Sequence, residues 1–461
     1  MRDNTLRGWD KMNKLTKTAF ATTLGASLML TSIVPAVKAE QALPDISNWA
    51  IETLNEGEKY GIFPLEWYYE DFRKAISQER LNTLIKLTEE KIASLELAKN
   101  EAFTPAVVNG DNTRGDIVNR LYNIVAQYDV NAGADPVKYL QEHNVLRGSE
   151  KGLMLDDLAT TQHAVIFAIR LIQDTYEQAN AGAKGVAWVV ADEDTTIYLL
   201  GSIHLGVPDL YPMHKKLTNA FNESQGLFVE ANILDPNGME YYMEKAIYEE
   251  GKTIKEEIGE ETYAKLEKVA EKLGMPMEEL VTMKPWLLAN NFSTLAMDGA
   301  FGLSVEEMSM HGVDMQFLLS AYLQQKPIYE LEGVNAQVDM FDGLSKEAQE
   351  ESLVSVLDSI LDPVAQTDED IALLSEWFMN WKIGDVENFA KSLAELEGDD
   401  SEYSQMLFGK RDENMAKSII EVLEKEPGKF FVVVGAGHFL VDKNIRYHLE
   451  QSGYKVTPLY E

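Results

Sequence analysis

Two stretches of this sequence, far apart in the chain, repeat one local design. Residues 196–206 read TIYLLGSIHLG and residues 430–440 read FFVVVGAGHFL. Each is an apolar run of strand length followed by Gly-x-x-His, which predicts His204 and His438 just past the carboxyl ends of buried strands. Glycine permits unusual backbone angles and close approach, so such turns can direct an imidazole into a crevice. These two turns decide the fold prediction.

Further strand-like runs surround them, separated by long helical stretches. They are Val186–Val190, Leu227–Val229, Pro327–Leu331 and Tyr454–Leu459. The first should form a hairpin with the run at 196–200 across residues 192–194, and a long helical excursion runs from Met239 to Gln324. Strands that alternate with helices predict an α/β fold with a mostly parallel central sheet flanked by helices. Ligands of such sheets bind outside the carboxyl ends of the strands, where both histidines are expected to meet.

Two more of these runs are followed by carboxylates: Glu230 follows Leu227–Val229, and Glu332 follows Pro327–Leu331. Nitrogen and oxygen ligands of this kind suit Zn²⁺, Mn²⁺, Co²⁺ or Fe²⁺, and a bound metal can generate hydroxide near neutral pH. The chain has no cysteine, so thiolate metal sites, disulfides and a cysteine nucleophile are excluded. A single histidine after a buried strand is more often a packing residue, but the repeated design favours a site. Gly435 and Gly437 could begin a dinucleotide-binding loop, but residues 435–440 lack the third glycine of that motif, which disfavours a dinucleotide site.

Length and charge limit the function further. The chain has 461 residues, enough for two or three folded units, and carries 76 acidic against 41 basic side chains, a net charge of −35. Nucleic acid is an unfavourable partner for so acidic a protein, because binding it requires neutralising phosphates with cations.

The first 39 residues are typical of a secretory signal peptide. Lys11, Lys14 and Lys17 precede an apolar run from Ala19 to Val37. An uncleaved membrane anchor is the alternative interpretation. No later run has the roughly twenty apolar residues that a span needs, so no membrane span is expected in the mature chain. We therefore expect a secreted or cell-wall-associated protein of a Gram-positive bacterium.

Residues 40–182 form a helical, strand-poor region that ends at the small-residue stretch 179–183, and residues 183–461 form the α/β domain. Two parts of the helical region resemble degenerate S-layer homology repeats. The first comprises Pro44–Ile51, Gly61-Ile62 and Ile76–Arg80, and the second comprises Tyr139-Leu140, Val145–Gly148 and Ala159–Ala164. That resemblance implies binding to a cell-wall polymer. A helical spacer or cap is the alternative.

The α/β domain contains, besides the two Gly-x-x-His turns, a series of short motifs in a fixed order: Phe228–Glu230, Lys284–Trp286, Gly312–Asp314, Leu331–Gly333, Phe341–Leu344, Arg411-Asp412 and Met415-Ala416. In these motifs and their order the domain resembles the TraB/GumN family, which includes PrgY-like pheromone shutdown proteins and Tiki metalloproteases. The resemblance implies a fold related to erythromycin esterase and ChaN, and a metal-dependent site of His204, His438, Glu230 and Arg411. Glu332 matches another family position. Asn335-Ala336-Gln337 departs from the family's usual Glu-Glu-Gln.

The expected function is an exported metallopeptidase that cleaves a peptide or protein substrate. His204, His438 and Glu230 would ligate one divalent ion, with manganese or cobalt suggested by the family and zinc also suitable. Glu332 or a ligand carboxylate would accept a proton from water, and Arg411 would stabilise an oxyanion or orient a substrate carboxylate. Three alternatives stay open: a non-catalytic peptide-sequestering protein, a small-molecule esterase, and a wall protein with an inactive domain. The other histidines are expected to be packing or surface residues: His143, His163, His214, His311 and His448.

Overall fold

The fold is described by a computed structural model that covers residues 44–361, 368–393 and 401–461. The predicted signal peptide, residues 1–39, lies outside the described residues. The described chain divides into two compact units. One comprises residues 44–183 with 208–215, and the other comprises residues 184–207 with 216–461 apart from the two undescribed stretches.

The first unit is helical, as the sequence predicts. Its helices are α1 (Ile51–Glu58), α2 (Gln78–Ala93), α3 (Arg114–Ala126), α4 (Pro136–Glu142) and α5 (Thr161–Gln178), with short 3-10 turns at Asn48–Ala50, Leu65–Tyr69 and Pro208–Leu210. Four of these helices, α2, α3, α4 and α5, begin in the same way. The side chains of Ser77, Thr113, Asp135 and Thr160 each accept a hydrogen bond from the backbone N–H three residues later, which satisfies a donor that the first helical turn leaves open.

The second unit contains one six-stranded sheet. Its strands are β1 (Val186–Ala191), β2 (Thr195–Ser202), β3 (Gly226–Val229), β4 (Ile328–Glu330), β5 (Gly428–Gly435) and β6 (Val456–Pro458), in the order β4-β3-β5-β2-β1-β6. The pairs β4–β3, β3–β5 and β5–β2 are parallel, whereas β1 is antiparallel to both β2 and β6. The predicted α/β fold, the mostly parallel sheet and the β1–β2 hairpin are confirmed.

The central strand β5 shows why the sheet lies inside the unit. Its last six residues, Phe430–Gly435, are all buried. A parallel strand covered on both faces needs a continuous apolar run rather than alternation, and Phe-Phe-Val-Val-Val supplies one. The apolar run 430–434 is therefore the core of the sheet, whereas the edge strands β4 and β6 have no buried residue.

Helices make up the rest of this unit. They are α6 (Lys215–Glu223), α7 (Pro236–Ala246), α8 (Glu260–Leu273), α9 (Met277–Leu280), α10 (Pro285–Leu295), α11 (Val305–Met310), α12 (Val313–Leu323), α13 (Val334–Asp342), α14 (Lys346–Leu361), α15 (Asp368–Ile383), α16 (Val386–Leu393), α17 (Glu402–Leu407), α18 (Lys410–Lys425), α19 (Gly437–Leu440) and α20 (Ile445–Gln451). Short 3-10 turns lie at Ile254–Glu256 and Ala300–Gly302. Across the described ranges, no helix is long and apolar enough to cross a membrane.

The long helical segment between β3 and β4 contacts the sheet at the first Gly-x-x-His turn. The backbone N–H of Gly206 donates to the carbonyl of Met308, and the N–H of Val313 donates to the carbonyl of Ile203, both over 2.8 Å. The end of α11 and the start of α12 therefore cover the carboxyl end of β2. This contact brings Asp314 to the candidate site.

Candidate active site

The carboxyl ends of the four parallel strands each deliver one predicted site residue. His204 follows β2, His438 follows β5, Glu230 follows β3 and Glu332 follows β4. These strands are neighbours in the sheet, so their ends share one edge. Arg411, in the first turn of α18, reaches the same edge and completes the predicted set.

The glycines of the first turn are needed for close approach. A Cβ on Gly206 would lie 2.0 Å from the carbonyl oxygen of His311, and one on Gly201 would lie 2.7 Å from a methyl carbon of Val186. Neither glycine has a positive φ, so the expected unusual backbone angles are absent at these two positions. The turn uses glycine because neighbouring chain segments leave no space for a side chain.

Each histidine is held by an aspartate. The Nδ1 atom of His204 lies 2.7 Å from Oδ2 of Asp314, and the Nδ1 atom of His438 lies 2.7 Å from Oδ1 of Asp412. A carboxylate at Nδ1 favours a proton on that nitrogen and leaves the Nε2 lone pair available. Both Nε2 atoms are buried and have no hydrogen-bond partner among the described residues.

No role was predicted from the sequence for either aspartate. Both lie in stretches that carry the family resemblance, but Asp314 is 110 residues from His204 and Asp412 is 26 residues from His438. Nothing in the local pattern pairs them with the histidines. The only signal in the sequence was their place in stretches that carry the family resemblance.

The surroundings of His204 raise the pKa of its imidazole. Burial of the ring lowers the pKa of His204, but the charge and hydrogen bond of Asp314, with the charge of Glu230, raise it more. The pKa therefore lies above its ordinary value, although the positive charge of Arg411 opposes the rise. Glu230 and Arg411 are thus close enough to act on this histidine.

Arg411 holds the two glutamates together. Its Nε and Nη2 atoms donate to the two oxygens of Glu332 over 2.9 and 2.6 Å, and Nη2 also donates to Oε2 of Glu230 over 2.9 Å. Burial raises the pKa of Glu332, but the hydrogen bonds and charge of Arg411 lower it further, so this carboxyl stays ionised. Such a two-pronged pair also fixes the orientation of both groups.

Glu230 makes three further contacts at this edge of the sheet. Its Oε1 atom accepts the backbone N–H of Gly435 over 2.6 Å and lies 3.7 Å from Nε2 of His438. The amide of Gln337 donates to Oε2 of Glu230 over 3.1 Å and to Oε2 of Glu332 over 3.2 Å. Gln337 belongs to the segment that departs from the family pattern, and it keeps the glutamine and bridges both carboxylates.

The donor set fits a metal ion only in part. Within the described ranges, no group of three or more histidine or acidic side chains converges as a metal site requires. Two buried, unpartnered imidazole nitrogens nevertheless have the chemistry of metal ligands, and each has the carboxylate support that metal-bound histidines usually have. Glu230 lies beside His438, but its oxygens already accept hydrogen bonds from Arg411, Gln337 and Gly435.

Comparisons with known proteins identify the family of the α/β unit. The uncharacterized protein YbaP of Escherichia coli strain K12 is 25% identical over 252 residues, which are 54% of this chain and 85% of YbaP. YbaP of Shigella flexneri matches with the same identity and coverage. No solved structure matches the chain. The TraB/PrgY/gumN family profile matches residues 186–458, which include the whole sheet and all five predicted site residues. The chain therefore belongs to the TraB/PrgY/gumN family.

Proposed function

We propose that this protein is a metal-dependent peptidase. The observation that carries the proposal is the pair of buried histidines, His204 and His438, each oriented by an aspartate and each with an unpartnered Nε2 atom. Buried polar atoms are rarely left without a partner, so two such nitrogens at one strand edge favour a ligand that both can bind.

His204 and His438 would hold the ion through Nε2, and Glu230 would supply an oxygen. A bound divalent ion, manganese, cobalt or zinc, polarises a carbonyl and makes water nucleophilic near neutral pH. Four carboxylates surround the histidines against one guanidinium, and such an excess of negative charge favours a cation. These carboxylates belong to Glu230, Glu332, Asp314 and Asp412.

Residues of the chain itself would have the remaining positioning and proton-transfer roles. Because Arg411 keeps the pKa of Glu332 low, Glu332 is a weak proton acceptor, and we assign it to positioning Arg411. Arg411 in turn fixes Oε2 of Glu230. Glu230 would accept the proton of the attacking water at Oε1, the oxygen nearest His438, and pass it to the leaving amine.

Peptide hydrolysis by stripped and metal-reloaded protein tests the proposal. We expect cleavage of unstructured peptides to need added Mn²⁺, Co²⁺ or Zn²⁺, and to fall at least a thousandfold in the double variant His204→Ala, His438→Ala. His448→Ala, which changes a histidine of α20 away from this edge, should retain full activity. Equal activity of the wild type and the double variant would reject the proposal.

Two rival functions have distinct outcomes in the same experiment. Peptide that stays intact while bound to the metal-loaded protein would indicate a sequestering protein. Turnover of small esters without turnover of peptides would indicate an esterase. The family alone does not choose among them, because a shared fold hosts different chemistries.

We also propose that the protein is exported and that its helical unit binds a cell-wall polymer. The support is the resemblance of two parts of the helical region, residues 44–80 and 139–164, to S-layer homology repeats. Sedimentation of the purified full chain with washed cell walls tests this. Protein that stays in the supernatant at every wall concentration would leave the helical unit as a spacer.

A further inference from the structure

A small cavity adjoins the candidate active site at the ends of β2, β3 and β5. Its polar lining comes from Ser202, Glu230 and Asp314, and its apolar walls include Ile233, Leu318 and Val434. The free space admits about one water-sized group. The cavity therefore has room for the tip of a ligand rather than for a whole molecule.

Two oxygen atoms of the residues that line this cavity have no hydrogen-bond partner among the described residues. One is Oγ of Ser202, a residue with 0% of its surface exposed, and the other is Oδ1 of Asp314. The other oxygen of Asp314 is already used by His204. Buried oxygens without partners indicate a missing donor group, because native proteins satisfy nearly all such atoms.

The charges of the residues around the cavity indicate which kind of hydrogen-bond donor would bind there. Glu230 and Asp314 both line the cavity as acids, and no lysine or arginine lines it. Arg411 is committed to Glu230 and Glu332. A primary ammonium matches these features, since it is close to water in size, carries a positive charge and donates three hydrogen bonds without accepting any.

We propose that this cavity binds the N-terminal ammonium of a peptide, so that the enzyme acts from the amino end of its substrate. The inference rests on the proposed peptidase function and narrows its substrate class. The ammonium would donate to Oγ of Ser202 and Oδ1 of Asp314, while the first residues of the peptide extend past Glu230. An acetyl cap removes the charge and adds atoms that the cavity has no room for.

Calorimetric binding of two matched peptides to the metal-free protein tests the proposal without requiring catalysis. The probes are tetra-alanine amide with a free amino terminus and the same peptide with an N-acetyl cap. We expect the free peptide to bind at least tenfold more tightly. Equal affinities, the result expected if the cavity holds only water, would overturn the proposal, as would absence of binding of the free peptide at millimolar concentration.

Single-site variants locate the effect in the cavity. Ser202→Ala should weaken binding of the free peptide at least threefold and leave binding of the capped peptide unchanged. Ser224→Ala is the matched control, because Ser224 is also buried but its hydroxyl donates to the carbonyl of Ala220. Equal losses in the two variants, or unchanged binding in Ser202→Ala, would contradict the assignment.

Cleavage of the same peptides separates this inference from the proposed function. Discrimination in binding without any cleavage would refute the peptidase function and leave the ammonium site standing. Cleavage of the free and capped peptides at equal rates would refute the ammonium site and leave the peptidase function standing.

Discussion

At the scale of single residues, the site depends on side chains that act through other side chains. Asp314 and Asp412 contact the Nδ1 atoms of the two histidines and so leave the buried Nε2 atoms for a ligand. Arg411 fixes the two glutamates in the same indirect way. The two histidines and Glu230, which we expect to bind a metal ion, are therefore oriented by three side chains, Asp314, Asp412 and Arg411, that would not bind that ion.

Replacing either aspartate by asparagine should weaken metal binding. An amide at this position no longer stabilises a proton on Nδ1 by its charge, and loss of such partners typically costs 10–100-fold in metal affinity. Asp314→Asn and Asp412→Asn should each show this loss in calorimetric titration with Mn²⁺. Asp339→Asn, an exposed aspartate bonded to Tyr241, is the control and should bind as the wild type does. Unchanged affinity in both site variants would contradict the positioning role.

Removing the guanidinium of Arg411 should destabilise the fold. Arg411→Met leaves Glu230 and Glu332 buried without their partner, and breaking a buried pair in this way costs about 3–5 kcal/mol. Urea unfolding at neutral pH measures the loss. The exposed neighbour Lys410, which pairs with Glu413, provides the comparison, since Lys410→Met should change stability by less than about 1 kcal/mol. A similar small change in Arg411→Met would show that the network contributes little.

At the scale of elements, the strand ends were predictable from sequence but their supporting contacts were not. The run from Phe430 to Val434 is apolar throughout, so its burial and the position of His438 follow from the pattern alone. The aspartates come from α12 and α18, which reach the histidines only in the folded protein. Local periodicity carries no information about contacts over 110 residues, so the sequence predicted the positions of the two histidines and missed the aspartates that contact them.

The first turn confirms one of the two reasons expected for its glycines. Gly206 has no positive φ, but it is needed for close approach, because the carbonyl oxygen of His311 lies where a Cβ would be. Gly206→Ala should therefore displace α11 from the turn, reducing stability by roughly 1–3 kcal/mol and weakening metal binding. Thermal unfolding and metal titration of the same variant measure both effects. Wild-type stability would mean that the close contact relaxes without cost.

At the scale of the whole molecule, the chain combines a helical unit with the family's α/β unit, and the two should respond differently to pH. The helical unit contains His163, whose ring stacks on Trp49 and Phe167. Burial, assisted by the positive charge of Arg114, lowers the pKa of His163 to about 4. The folded unit therefore prefers the neutral ring.

Stability should fall as the pH decreases through the range set by this histidine. In the unfolded chain the ring gains a proton near pH 6.5, but in the folded unit it stays neutral until about pH 4. The stabilising contribution is thus complete above pH 6.5 and is lost toward pH 4, amounting to about 2–3 kcal/mol. His163→Phe keeps an aromatic ring for stacking and should reduce this pH dependence. Parallel stability curves for variant and wild type would contradict the assignment.

If His204 and His438 bind one divalent metal ion, crystals of the full chain soaked in Mn²⁺ should show it by anomalous diffraction at the manganese edge. We expect one strong anomalous peak at bonding distance from the Nε2 atoms of both histidines, with a Glu230 oxygen among its neighbours. Full soaking with no peak between these nitrogens, or a peak bound only elsewhere on the protein, would contradict it.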